Sequence, residues 1–129
     1  MKTHRTSSAI FALAALFVLS PASAEDAHQA AKHGGVVVES GHHHLEIVAK
    51  DGSVEVHVTG EDGKPEDIKD AKASAAVLSE GKKIDISLVP DGANALKGTG
   101  IFKAVKGTTV VVTLTMPGHQ PEQSRIKLD

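Results

Sequence analysis

His43-His44-Leu45-Glu46-Ile47-Val48-Ala49-Lys50-Asp51-Gly52-Ser53-Val54-Glu55-Val56-His57-Val58-Thr59 is the stretch that decides the fold. Asp51-Gly52 between two runs rich in β-branched residues is a strong short-range signal for a β-hairpin. Taken as a two-residue loop, it sets Lys50 opposite Ser53 and then pairs Ala49 with Val54, Ile47 with Val56 and Leu45 with Val58. Every one of those pairs is apolar, so this is the core face. The opposite face pairs Val48 with Glu55, Glu46 with His57 and His44 with Thr59.

Working toward the N-terminus, Ser40-Gly41 reads as a second two-residue loop. Val36 then faces Leu45 in the core and Val37 faces His44 outside, with Gly35 opposite Glu46 and His33 opposite Val48. His33, His44, Glu46 and His57 therefore converge on one outer patch of three neighbouring strands. Directly opposed Cβ atoms stand near 5 Å apart and diagonal ones about 7–8 Å apart, close enough for imidazoles and a carboxylate to share an ion bound at about 2.0–2.2 Å. Gly34-Gly35 leaves room beside Glu46. Three imidazoles and one carboxylate suit Zn²⁺ and also Cu²⁺, Ni²⁺ or Co²⁺, whereas Cu⁺ would want softer donors. The competing reading is a solvated sheet face on which these histidines have no shared task.

His42 lies on the same outer face, where it supports or replaces a ligand. His43 points toward the core at the end of the sheet, and a one-residue slip would exchange it with His44. Both stay in the candidate metal set, whereas His28 lies in the N-terminal tail and His119, in Met116-Pro117-Gly118-His119, reads as an exposed turn residue.

Beyond the two hairpins, short strands follow one another with turn signals at close intervals. The expected strands are Val36–Glu39, His43–Lys50, Val54–Thr59, Ala73–Leu78, Ile84–Val89, Ala95–Lys103, Thr108–Thr115 and Arg125–Leu128. Ile84, Ile86 and Leu88 alternate with Asp85 and Ser87, the period of a half-buried strand. Residues Pro65 to Ala76 have room for a turn or two of helix. Seven or eight short strands predict an all-β, immunoglobulin-like antiparallel β-sandwich.

The N-terminus reads differently. Lys2, His4 and Arg5 precede an apolar run from Ala9 to Leu19 and then Ser20-Pro21-Ala22-Ser23-Ala24. That order is a secretory signal peptide over residues 1–24, and its apolar run is too short for a helix that crosses a bilayer, so no stable membrane insertion is expected after cleavage. The remaining 105 of the 129 residues comprise a flexible His-containing tail at 25–33 and one domain at 34–129. Once Lys2 and Arg5 leave with the signal peptide, 12 basic side chains face 16 acidic ones, near −4 with neutral histidines, which argues against a nucleic-acid partner. Cysteine, tyrosine and tryptophan are absent, so the core has to be aliphatic, and neither a thiolate site nor an aromatic stacking platform is available. Gly98-Thr99-Gly100 lacks a following helix to receive a phosphate, and Gly81-Lys82-Lys83 lacks the rest of a P-loop. No H-E-x-x-H pair or serine elbow is present, and a binding protein is expected rather than an enzyme.

Ala31-Lys32-His33-Gly34-Gly35-Val36-Val37 followed by His43-His44-Leu45-Glu46-Ile47-Val48 resembles the histidine-bearing periplasmic small domain associated with Czc-type (cobalt-zinc-cadmium) heavy-metal efflux, in its stand-alone form. Asp62-Gly63-Lys64-Pro65 also looks like that family's turn after its third strand. The resemblance implies metal binding in the periplasm with His33, His44 and Glu46 as matching positions, whereas His57 rests on the register alone. The long helical hairpin of a full efflux adaptor is missing from this stretch, so the expected role is metal buffering, sensing, delivery or efflux support, with a heavy-metal efflux complex as partner. The alternative expectation is a metal-independent protein-interaction module of the cell envelope.

Overall fold

Alternation of small and branched apolar residues with polar ones drives this chain into strands, and the computed structural model, which describes residues 30–129, contains eight of them. They are β1 (Val36–Ser40), β2 (His43–Lys50), β3 (Ser53–Gly60), β4 (Lys72–Ser79), β5 (Lys82–Pro90), β6 (Ala95–Thr99), β7 (Thr109–Thr115) and β8 (Glu122–Lys127). The expected signal peptide at residues 1–24 and the expected tail up to residue 29 lie outside the described residues.

All pairings are antiparallel, in the order β1-β2-β3-β6-β5-β4-β7-β8. β7 returns to lie beside β4, and β3 lies beside β6, so two overlapping Greek keys share the meander β4-β5-β6. β5 pairs with β4 along most of its length and with β6 only at Val89 and Pro90, and so passes from one half of the sheet to the other. The two halves face each other as a sandwich, and β1 and β8 come side by side to nearly close a flattened barrel. The core is aliphatic: Leu45, Ile47, Val54, Val56 and Val58 of one half meet Val77, Val110, Val112 and Leu114 of the other, with Phe102 and Met116 at the margins.

The β2–β3 register is the one expected, from Lys50↔Ser53 to His44↔Thr59. The β1–β2 register differs by two residues: Ser40 pairs with His43, Val38 with Leu45, Val37 with Glu46 and Val36 with Ile47. The reason is Gly41, whose φ of +56° makes it the first loop residue, so that Gly41-His42 turns the chain and Ser40 stays in the strand. A shift of two keeps each residue on its face. Val37 remains outside, but Gly35 and His33 no longer lie where the sequence put them.

No helix forms between Pro65 and Ala76. Pro65 instead bridges Thr59, Ile68 plugs into the core at 1% exposure, and the alternating Ala73, Ala75 and Val77 belong to β4. β6 is shorter than expected and ends at Thr99. A Cβ at Gly98 would strike the Ser87 carbonyl oxygen, so that close approach to β5 admits only glycine. The chain then leaves the sheet at Gly100.

Candidate functional site

Glu46 is on the outer face of β2, where a carboxylate normally meets water, yet only 7% of it is exposed. The chain before β1 covers it. The amides of His33 and Gly35 donate to its Oε2 at 2.8 and 3.0 Å, the amide of Lys32 donates to Oε1 at 2.9 Å, and the His33 ring nitrogen Nδ1 lies 3.0 Å from Oε1. Burial alone would push this carboxyl up. The bonds from Gly35, the His33 ring and the Lys32 and His33 amides more than reverse that and bring it from 4.5 down to about 2. Gly34, with φ of +77°, bends the chain across the carboxylate. A side chain at Gly35 would hit the Ile47 carbonyl oxygen, so glycine is required for this approach.

Because a carboxylate only accepts, the His33 nitrogen facing Glu46 carries hydrogen, and in the neutral ring Nε2 offers its lone pair outward. Glu46 thus orients an imidazole in the way a supporting carboxylate orients a metal-binding histidine, with its own oxygens already engaged. In this arrangement Glu46, one of the candidate ligands of the sequence reading, holds and aims the His33 ring.

His57, directly opposite Glu46 on β3, lies under the His33 ring. The two imidazoles stack with centroids 3.6 Å apart and planes within 2° of parallel. His57 Nε2 is 2.7 Å from Glu55 Oε1 but out of hydrogen-bonding alignment, and it is a buried nitrogen with no hydrogen bond. His44, next on the same face, points Nδ1 at the Gly60 carbonyl oxygen at 3.3 Å, while Nε2 lies 3.4 Å from Glu39 Oε1. A carbonyl oxygen accepts, so Nδ1 carries hydrogen and the lone pair of neutral His44 faces a carboxylate. A cation relieves that opposition.

His33, His44, Glu46 and His57 together line one cleft of about 180 Å³, closed by Val37 and Pro65. All four convergent positions of the sequence reading are therefore neighbours. His42 and His43 are not among them: His42 sits in the β1–β2 loop with Nδ1 2.9 Å from Glu61, whose hydrogen bond raises its pKa, and His43 faces the end of the barrel. Glu39 and Glu55 were missed. Glu55 shares the face of His57 by simple alternation, but Glu39 meets His44 only in the shifted β1 register.

Among the described residues no three His, Asp or Glu side chains stand ready around one point to hold an ion. The geometry explains why. A metal lies close to the plane of each imidazole that binds it, and two parallel planes have no common point. His33 and His57 reach a shared ion only after one ring rotates out of the stack. His33, 48% exposed and held by one ring hydrogen bond and the stack, is the ring with room to turn.

Comparison with models of protein families, with curated proteins and with solved structures finds no match to this chain.

Proposed function

We propose that this protein captures a divalent transition metal in the bacterial periplasm, with zinc as the first candidate and copper, nickel or cobalt as close competitors, and that it buffers the ion or hands it to a heavy-metal efflux system. The observation that carries the reading is the convergence of three imidazoles on one cleft, with a hydrogen bond from His33 to Glu46 that leaves Nε2 of His33 as a free donor. His33, His57 and His44 are the ligands, with Glu39 and Glu55 as carboxylates within reach of the last two. Nitrogen with carboxylate oxygen is the donor set that suits these ions. Export, and with it the periplasmic setting and the efflux partner, rests on the signal-like N-terminus and on the resemblance of the two His-containing segments to Czc-associated domains.

Capture is stepwise in this arrangement. The ion meets His44 and the outward Nε2 of His33 first, and rotation of His33 then uncovers His57. Protons compete with metal for imidazole nitrogen, so affinity falls as the medium becomes acidic. Calorimetric titration of Zn²⁺, Cu²⁺ and Ni²⁺ into the purified protein tests the reading. One ion per chain is expected, with affinity about tenfold or more weaker in His33→Ala, His44→Ala and His57→Ala and a smaller loss in Glu46→Gln. Unchanged stoichiometry and affinity in all four variants would overturn it.

A further inference from the structure

At the end of the barrel a second group of donors gathers, separate from the cleft of His33 and His57. Met116-Pro117-Gly118-His119 joins β7 to β8 as a hydrogen-bonded turn, in which the His119 amide donates to the Met116 carbonyl at 3.0 Å and Gly118 has φ of +76°. Proline second and left-handed glycine third are the marks of a type II turn, which holds its first and fourth residues within about 7 Å of each other. The turn brings the backbones of Met116 and His119 together, and both residues line the same cleft.

His43, the first residue of β2, points to the same place. It is 8% exposed, its Nδ1 is buried without a hydrogen bond, and the nearest carboxylate oxygen, Glu122 Oε2, stands off at 3.7 Å. Its ring lies edge-on to His119, with centroids 6.2 Å apart and planes at 85°. His43, His119 and Met116 line one open cleft of about 490 Å³ whose rim carries Glu61, Asp62 and Glu66. Gly60, paired with His43 across the ladder, keeps the floor open, since a Cβ there would crowd the carboxylates of Glu66 and Asp62.

A buried imidazole nitrogen with no hydrogen bond is costly in a purely structural role. It is accounted for if the nitrogen has a ligand. Two nitrogens that share an ion at about 2.0–2.1 Å lie within about 4 Å of each other, and near-perpendicular rings 6.2 Å apart meet that span with a small rotation. Their planes intersect, unlike those of His33 and His57. Met116 is the only methionine among the described residues, and a thioether beside two imidazoles selects a softer ion than the first cleft does. We infer that His43, His119 and Met116 form a second, independent metal site that takes Cu⁺, with the acidic rim drawing the cation in.

The test titrates Cu⁺, kept reduced with ascorbate under anaerobic conditions, against a chromogenic Cu⁺ chelator in the full-length protein and in His119→Ala, Met116→Leu and His33→Ala. His119 is exposed and Leu matches Met in volume, so these variants keep the fold. Expected are a roughly tenfold or greater loss of Cu⁺ affinity in His119→Ala and Met116→Leu with Zn²⁺ binding unchanged, no loss of Cu⁺ in His33→Ala, and a sulfur neighbour of copper in X-ray absorption that disappears in Met116→Leu. Wild-type Cu⁺ affinity in both turn variants, or a copper ion without sulfur, overturns the site. Because Zn²⁺ is followed in the same variants, failure of the first cleft and failure of this one give different results.

Discussion

At the scale of single residues, Glu46 is the hinge of the chemistry. Four donors converge on one carboxylate, and three of them are backbone amides of Lys32, His33 and Gly35, so the residue fastens a chain segment while it aims a ring. Its folded value of about 2 lies below the ordinary 4.5, which makes its contribution to stability complete above about pH 4.5 and progressively lost as pH falls toward 2. The difference corresponds to about 3 kcal/mol. Urea unfolding followed by far-ultraviolet circular dichroism should show a drop of that order between pH 5 and pH 2, and Glu46→Gln should flatten it. Gly35→Ala makes a related point without changing charge. A methyl group at the Ile47 carbonyl lifts the segment away from β2, and the expected result is loss of the His33–His57 stack, read as altered imidazole proton shifts in NMR. None of this was legible in the sequence. His33, Glu46 and His57 could be assigned to one patch from alternation and turn residues, but a carboxylate that collects backbone amides leaves no side-chain pattern to read, so the anchoring of Lys32, His33 and Gly35 on Glu46 has no signal in the sequence.

Among the elements, loops decide how much of the register can be foretold. Asp51-Gly52 fixed the β2–β3 pairing because only one arrangement buries Leu45, Ile47, Val54, Val56 and Val58 together. Val36-Val37-Val38 carries no such alternation, and both Ser40-Gly41 and Gly41-His42 are acceptable loops, so the β1 pairing could slide by two residues without exposing the core. No helix forms near Pro65 because the alternating Ala73, Ala75 and Val77 of β4 outweigh a few helix formers. One loop bears strain. In Glu80-Gly81, which joins β4 to β5, both residues have positive φ, and Glu80 at +51° is the only non-glycine residue of that kind among those described. Asn tolerates this conformation better, and Glu80→Asn is expected to raise stability by about 0.5–1 kcal/mol in the same unfolding assay.

For the molecule as a whole, the absence of cysteine, tyrosine and tryptophan leaves an aliphatic core to hold the fold, within the usual 5–15 kcal/mol of a domain. Ligand binding then weighs heavily. An ion present at a hundred times its dissociation constant adds about 2.7 kcal/mol, so saturating zinc should raise the melting temperature by about 10–20 °C, and a chelator should return it to the starting value. A shift that persists in His57→Ala would point to a different site. The distant pairing of His43 with His119 was beyond sequence reasoning, since 76 positions separate them and only the return of β8 toward β1 brings them together. That return has a consequence of its own. β1 and β8 touch through side chains such as Ser40 and Glu122, with no backbone ladder recorded between them. When the barrel breathes it parts along this line, so the outward amides of both strands trade hydrogen for deuterium ahead of those in β3 and β4, and Glu122 swings away from His43 while the rings of His33 and His57, held wholly on the β1-to-β3 side, stay in place.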